Sequence, residues 1–537
     1  MPVLPDRVNP ASDEYRTNRA ALEAQVTAHD EQLALVNLGG GEKYVARHRQ
    51  RGKMLARERI EALLDQDTPF LELSPLAAYG SQFPVGAGTI AGIGSVEGVE
   101  CLITANDPTQ RGGAGNPVSV KKGLRAAEIA RENRLPTISL TESGGADLPT
   151  QSEIFIPGGQ SFRNITNASA AGIPQVSIVF GNSTAGGAYV PGMSDYVVMI
   201  KERSKVFLGG PPLVKMATGE DSDDESLGGA EMHARISGLA DYFAVDELDA
   251  IRLGRQIIKR INHRKRGPGP RGPGVNGAGR PPRYDPDDLL GIPSADPKAP
   301  FDPRDVIGRV VDDSDFDEFK PLYGTSLVTG FAELHGYPIG ILANHHGVLF
   351  SEESEKAAQF IQLANQIDTP LVFLQNTTGF MVGKEFEQRG IIKDGAKMIN
   401  AVSNSGVPHL TINMAASYGA GNYGMCGRAF GPRFLFAWPN AKSAVMGPAQ
   451  LAGVMSIVSR QSAESMGKPF DEEADAAMRQ MIEEQIEHES LAMFMSGKVY
   501  DDGIIDPRDT RTVLGLCLSV ADNQPIEGTR GYGVFRM

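Results

Sequence analysis

Two stretches of the chain set an apolar, strand-like run against a turn of small residues and then a predicted helix: SIVFGNSTAGGAYVPGMSDY (177–196) and LTINMAASYGAGNYGMCGRAF (410–430). Glycine and alanine at such a turn let a ligand approach the backbone closely, and the free amides that open a helix point toward bound negative charge. Peptide N–H groups so arranged form an oxyanion hole, which stabilises charge developing on a carbonyl oxygen. A companion turn precedes each, TESGGADLP (141–149) and QNTTGFMVG (375–383). There Gly144, Gly145 and Gly379 would again offer backbone rather than side chain, so a substrate could lie between the two turns of each pair. Tight strand-to-helix connection is the other reading of the same residues. Two pockets suggest two oxyanions.

Side-chain catalysis has little support. Ser143 and Ser183 lack the GxSxG elbow. His233 and the pair His345-His346 have no partner at metal-ligand spacing, and a packed, hydrogen-bonded histidine is the plainer reading. GAGNYG (419–424) is not read as a dinucleotide fingerprint, because no acidic residue stands at the expected distance on a following strand. If the protein is an enzyme, its base comes from a bound reactant. A hydratase-type alternative would need an acid near the first turn, where Glu142 is the obvious candidate, and would have no use for a second pocket. A non-catalytic scaffold would be expected to carry bulky residues in one of the turns, and neither has them.

The elements that must position these turns repeat. Pro136 opens PTISLTESGG and Pro174 opens PQVSIVFGNSTAGG; Pro370 and Pro408 open PLVFLQNTTGF and PHLTINMAASYGAG. The offset is 234 at each, and it also relates Gly145 to Gly379 and Gly187 to Gly421. GVECLITAN (98–106) matches GYPIGILAN (336–344) at an offset of 238, and Lys205 pairs with Lys442 at 237. Such internal similarity implies two domains of one fold. Short apolar runs alternating with helical stretches such as KKGLRAAEIARENR (121–134) favour a β/α architecture with buried strands. The expected organisation is an N-terminal helical region (1–65), a first domain (66–265), a Pro/Gly-rich linker (266–300) and a second domain (301–537). The cations Arg47, Arg49, Arg51, Lys53, Arg57 and Arg59 either face an anionic ligand or form a solvated face paired with local acids.

Composition narrows the function. The 537 residues carry 52 Lys and Arg against 66 Asp and Glu, a formal charge of −14, which disfavours nucleic acid and membrane surfaces as partners. Three scattered cysteines, Cys101, Cys426 and Cys517, make no CxxC pair, so neither a disulfide framework nor a structural zinc is expected. With no signal-like start and no run of 18 apolar residues, the expected location is the cytoplasm.

ESGGADLPTQ (142–151), STAGGAYVPGMSDY (183–196), GGAEMHARISGLADYFA (228–244), SYGAGNYGMCGRAF (417–430) and GYGVFRM (531–537) resemble the carboxyltransferase β subunits of biotin-dependent acyl-CoA carboxylases over nearly the whole chain. GAGNYGMCGRA and the FRM terminus are most similar to the methylcrotonyl-CoA carboxylase branch. The resemblance implies an α/β protein of two tandem crotonase-like (ClpP-like) β/α superhelix domains. It implies a homo-hexameric β core with sites between protomers, acyl-CoA on the N-domain side, and carboxybiotin entering from the C-domain side. That biotin would be carried by a separate biotin carboxylase/biotin carrier α subunit, since this chain has no Met-Lys-Met attachment tripeptide. No metal is implied for this chain.

By the same resemblance, amides around Gly186 and Gly187 would hold the thioester oxygen and those around Ala420 and Gly421 the biotin ureido oxygen. Gly144, Gly145, Ala146, Gly379, Phe380 and Tyr418 would line the two ligands. Tyr423, where the propionyl- and acetyl-CoA branch has Asp, argues against those short chains. MGPAQLAG (446–453) departs from the MGGEQAA usual in the methylcrotonyl branch. The expected substrate is therefore 3-methylcrotonyl-CoA or a related branched or unsaturated acyl-CoA such as geranyl-CoA.

Overall fold

Each half of the chain builds one mixed sheet whose strands keep in space the order they have in sequence. The computed structural model describes residues 2–271, 279–294 and 299–537; within the expected linker, 272–278 and 295–298 lie outside the described residues. In the first sheet Phe70–Glu72, Thr89–Val96 and Val99–Asn106 are antiparallel. Thr137–Ser143, Gln175–Thr184, Tyr196–Ile200 and Tyr242–Ala244 continue it in parallel. The second sheet repeats this with Asp317–Glu318, Leu327–Leu334 and Tyr337–Asn344 antiparallel, then Leu371–Thr377, His409–Tyr418 and Phe434–Ala437 parallel.

The registers repeat as well as the order. Thr137 lies opposite Gln175 and Leu371 opposite His409. The ladder then slips between Thr141 and Ser143, and between Gln375 and Thr377, at the same offset of 234. Such a bulge bends the strand and re-aims the residues beyond it. Lys205–Phe207 and Lys442–Ala444 pair with the last residues of Gln175–Thr184 and His409–Tyr418, extending both long strands past the sheet edge toward their turns.

The connecting helices carry the repeat in side chains. Pro117–Glu132 starts behind Asn116, which accepts from the amides of Val118 and Ser119. Its buried Lys122 donates to the carbonyl of Thr89 at 2.7 Å, and Lys356 on the helix Ser351–Gln366 donates to that of Leu327 at 2.7 Å. Each ammonium thus ties a helix to the first residue of a strand.

The two sheets share one core, in which Leu102 and Ile129 of the first half meet Ile341, Leu374, Phe434 and Trp438 of the second. A buried ion pair crosses the same junction: Arg125 Nε and Nη2 donate to the two carboxylate oxygens of Asp502 at 2.7 and 2.8 Å. The single helical region expected up to residue 65 is three helices, Asp13–Asn37, Glu42–Gln50 and Ala56–Leu63. The third is amphipathic enough to bury Ile60 and Leu63 in the core under the first sheet, beside Ile251 and Ile257 of Glu247–Arg260. The first packs Leu22 and Val26 on Leu290. Leu289 and Leu290, within the expected linker, are fully buried, because the LLGI run beyond the Pro/Gly stretch is apolar.

Candidate active site

The strand Gln175–Thr184 ends with Thr184 extended, and Ala185 then takes the left-handed conformation at φ 55° before the short helical turn Ala185–Ala188. His409–Tyr418 ends with Tyr418 extended and Gly419 also at φ 55°, before the helix Gly419–Gly424. The backbone has the same shape twice, and in the first half an alanine adopts it at a cost of about 1 kcal/mol. Each kink leads into a helix start, whose first amides have no intrahelical acceptor. Gly186 and Gly187 stand second and third in the first start, a 3₁₀ turn, and Ala420 and Gly421 second and third in the other, an α-helix.

The companion turns lie directly against them. A Cβ at Gly145 would sit 3.5 Å from the Thr184 carbonyl, and one at Gly379 would sit 3.8 Å from that of Tyr418. Both glycines have φ in the left-handed half of the map, 99° and 122°. Their amides are spent inside the turn: Gly145 N–H donates to Ser143 Oγ at 3.2 Å and Gly379 N–H to Thr377 Oγ1 at 3.3 Å. Gly144 N–H goes to the Gly112 carbonyl. The companion turns therefore shape the walls, and donors for a bound oxyanion would have to come from the helix starts. Ala146 is exposed and bridges Gly115. The Phe380 ring packs against Gly395 and Gly424 in the second-half core, leaving its backbone to the turn. Tyr418 is the half-buried hinge residue itself.

The two helix starts differ in crowding. A Cβ at Gly187 would be 3.6 Å from Ser183 Oγ, whereas one at Gly421 would be 2.5 Å from Thr377 Oγ1 and 2.9 Å from the Gly379 backbone. Tyr189 and Tyr423, again 234 apart, are exposed beside the two starts and rest on Phe162 and Phe430 at centroid distances of 5.5 and 5.4 Å.

Four of the six cations in the N-terminal region are neutralised. Arg49 pairs with Glu58 at 2.7 Å, Arg57 with Glu72 at 2.7 Å, Lys53 with Glu142, and Arg59 with Glu142 and Glu247 at 2.8 and 3.1 Å. Among the described residues Arg47 and Arg51 have no such partner. Both line a cavity of about 530 Å³ with Tyr44, His48, Thr109 and Arg111, and it reaches Gly112, which holds the first companion turn. Spacing alone could not separate these two arginines from the other four, since their fate depends on acids 9 to 188 positions away.

Glu142 is unsuited to act as an acid. Burial pushes its carboxyl up, but Arg59 and Lys53 outweigh that and hold its pKa below the usual glutamate value, so it is ionised. His233 has both ring nitrogens engaged, by Ser237 Oγ and the Val206 carbonyl at 2.7 Å each. All three cysteines are buried as free thiols. No helix among the described residues is long and apolar enough to cross a membrane.

A doubled crotonase-like fold with a backbone turn at each strand end defines a carboxyltransferase architecture, and the comparisons agree. Residues 47–532 match the carboxyl transferase domain family. The chain is 66% identical over its full length to a Mycobacterium tuberculosis protein described as a probable biotin-dependent acyl-coenzyme A carboxylase beta2 subunit, which it also covers completely. It is 48% identical to the Dictyostelium discoideum methylcrotonoyl-CoA carboxylase beta chain, covering 100% of this chain and 91% of that one. The crystal structure of the geranyl-CoA carboxylase beta subunit of Pseudomonas aeruginosa superposes with a TM-score of 0.90 at 42% identity, covering 99% of both chains. The chain belongs to the carboxyltransferase β subunits of biotin-dependent acyl-CoA carboxylases.

Proposed function

We propose that the first-half turns hold the acyl-CoA thioester and the second-half turns the carboxybiotin of a separate biotin-carrying α subunit. The recurrence of one backbone kink at Ala185 and Gly419 carries this reading, because two helical turns entered through the same kink suit two reactants that each develop one oxyanion. Carboxybiotin supplies both the CO2 and the base, and Ala420 at the second helix start is exposed to receive its ureido group. Amides of Ala420 and Gly421 stabilise the negative ureido oxygen; amides of Gly186 and Gly187 stabilise the enolate oxygen of the acyl thioester as its carbon attacks CO2. Ser143, through the Gly145 amide, fixes the wall between them and the solvent.

The phosphates of CoA lie on Arg47 and Arg51, which have no ion-pair partner among the described residues, with Arg111, paired to Asp147 at 3.4 Å, beside them in the same cavity. The acyl group is branched or unsaturated, 3-methylcrotonyl or longer. Tyr423 stands where short-chain enzymes of the family carry Asp, and two of the three relatives above are named for methylcrotonoyl- and geranyl-CoA. The helices Gln151–Ala170, with no buried residue, and Pro448–Ser465, with Ala452 alone buried, suit coverage by further copies in a homo-hexameric core. Kinetics of the assembled enzyme over a panel of acyl-CoAs test the reading. Arg47→Ala and Arg51→Ala should each raise the KM for acyl-CoA about 3–10-fold, the effect shrinking with added salt, with kcat little changed. An unchanged KM in both would place the phosphates elsewhere.

A further inference from the structure

Glu142 occupies the bulge that launches the first companion turn, and its counterpart 234 residues on is Asn376. The two bulges are anchored differently. Asn376 stays within its own sheet: its amide donates to Asn344 Oδ1 at 3.1 Å and its Oδ1 accepts from the Ala416 amide at 3.3 Å. The Glu142 side chain instead leaves the sheet for the N-terminal region, where Lys53 Nζ and Arg59 Nη1 meet its carboxylate. Arg59 is 1% exposed, lies over the Phe180 ring at 4.3 Å, and spends Nε and Nη2 on Glu247 at 3.2 and 3.1 Å. Arg203 closes the chain on Glu247 at 3.4 Å. Gly181 makes room for the carboxylate, since a Cβ there would stand 2.6 Å from Glu142 Oε1.

We infer that Glu142 is a positioning residue: its carboxylate, clamped by Lys53 and Arg59, sets the first companion turn against the Thr184–Gly187 kink, whereas the second turn needs no such clamp. The hydroxyl of Ser143, the next residue, accepts from the Gly145 amide, so a shift of the bulge moves the wall of the acyl site directly. Glutamine at position 142 keeps size and shape but removes the charge from both ion pairs. The helix Ala56–Leu63 and the segment before it thereby help to position the acyl site, through Lys53 and Arg59 on the Glu142 carboxylate.

The inference rests on the assignment of acyl-CoA to the first half. Its test uses the enzyme assembled with its biotin-carrying subunit and 3-methylcrotonyl-CoA as probe. Glu142→Gln should lower the kcat of carboxylation at least 10-fold. The release of CO2 from carboxybiotin without acyl-CoA, which needs the second turn alone, should stay within twofold. Glu142→Asp should recover part of the loss. Lys53→Met removes the other end of the clamp at a partly exposed site and should show the same selective fall, and it carries the test if Glu142→Gln fails to fold. A folded variant that keeps kcat within twofold, or loses both reactions equally, overturns the inference. The assignment of the halves fails separately: it falls if Gly186→Pro leaves carboxylation intact. With that variant inactive and Glu142→Gln active, only the clamp is refuted.

Discussion

At the scale of single residues, the doubled turns are equal in backbone shape but unequal in tolerance. The repeat makes Gly187 and Gly421 equivalent positions, 234 residues apart. The packing separates them. Gly421 faces the Gly379 backbone, which cannot swing aside as a side chain can, while Gly187 has an ordinary contact distance to Ser183. Gly421→Ala should therefore lower the melting temperature by several degrees as well as the rate, consistent with the 1–3 kcal/mol that overpacking costs. Gly187→Ala should fold with a melting temperature near that of the parent. Equal thermal shifts in a side-by-side melt would contradict the placement. The glycine positions are legible from the repeat. The clash at Gly421 is not, since it arises from Thr377 and Gly379 on another strand.

At the scale of elements, the short apolar runs and their opening prolines place the central strands to within a few residues: the run opened by Pro136 is found as Thr137–Ser143 and the one opened by Pro174 as Gln175–Thr184. The long strands run past their expected far ends, where polar Asn182, Ser183 and Thr184 look like loop in sequence. They stay in the ladder because Lys205–Phe207 pairs with them, a contact about 20 residues away. Buried lysine is a further feature that composition hides. Lys122 and Lys356 read as surface residues of amphipathic helices, yet burial pushes both ammonium groups down to about 8 while backbone carbonyls accept from them. Lys356→Met removes the buried donor to the Leu327 carbonyl and one of the two donors to that of Gly324, which keeps the Leu327 amide, and should cost about 1–3 kcal/mol in a denaturant titration. A variant as stable as the parent would show that the helix is held to the sheet by its apolar contacts alone.

At the scale of the molecule, the halves are joined through one apolar core and the Arg125–Asp502 pair, and beside that pair Asp501 is wholly buried. Burial first, and then the neighbouring Asp502 charge, push its carboxyl up to about 7 against an ordinary value of 3.8. Between those values the folded chain binds a proton that the unfolded chain has released. The stability tied to Asp501 is thus present in acid and lost as pH rises toward and through 7. Asp501→Asn, which cannot ionise, should gain melting temperature relative to the parent on going from pH 5 to pH 8, and a difference that is flat or falls would refute this. The shared core is the part the sequence hides: the repeat marks two folds but carries no sign of their common interior.

The central claim, that one amide-lined turn serves each reactant, is tested most directly by deleting an N–H where the helix does not need it. Proline is tolerated in the first helical turn and removes the donor outright. In the assembled enzyme, Gly186→Pro should cut acyl-CoA carboxylation about 10²–10³-fold while CO2 release from carboxybiotin persists. Ala420→Pro should cut both. If Gly186→Pro spares carboxylation, or if Ala420→Pro leaves CO2 release at the parent rate, the two turns do not divide the chemistry between them.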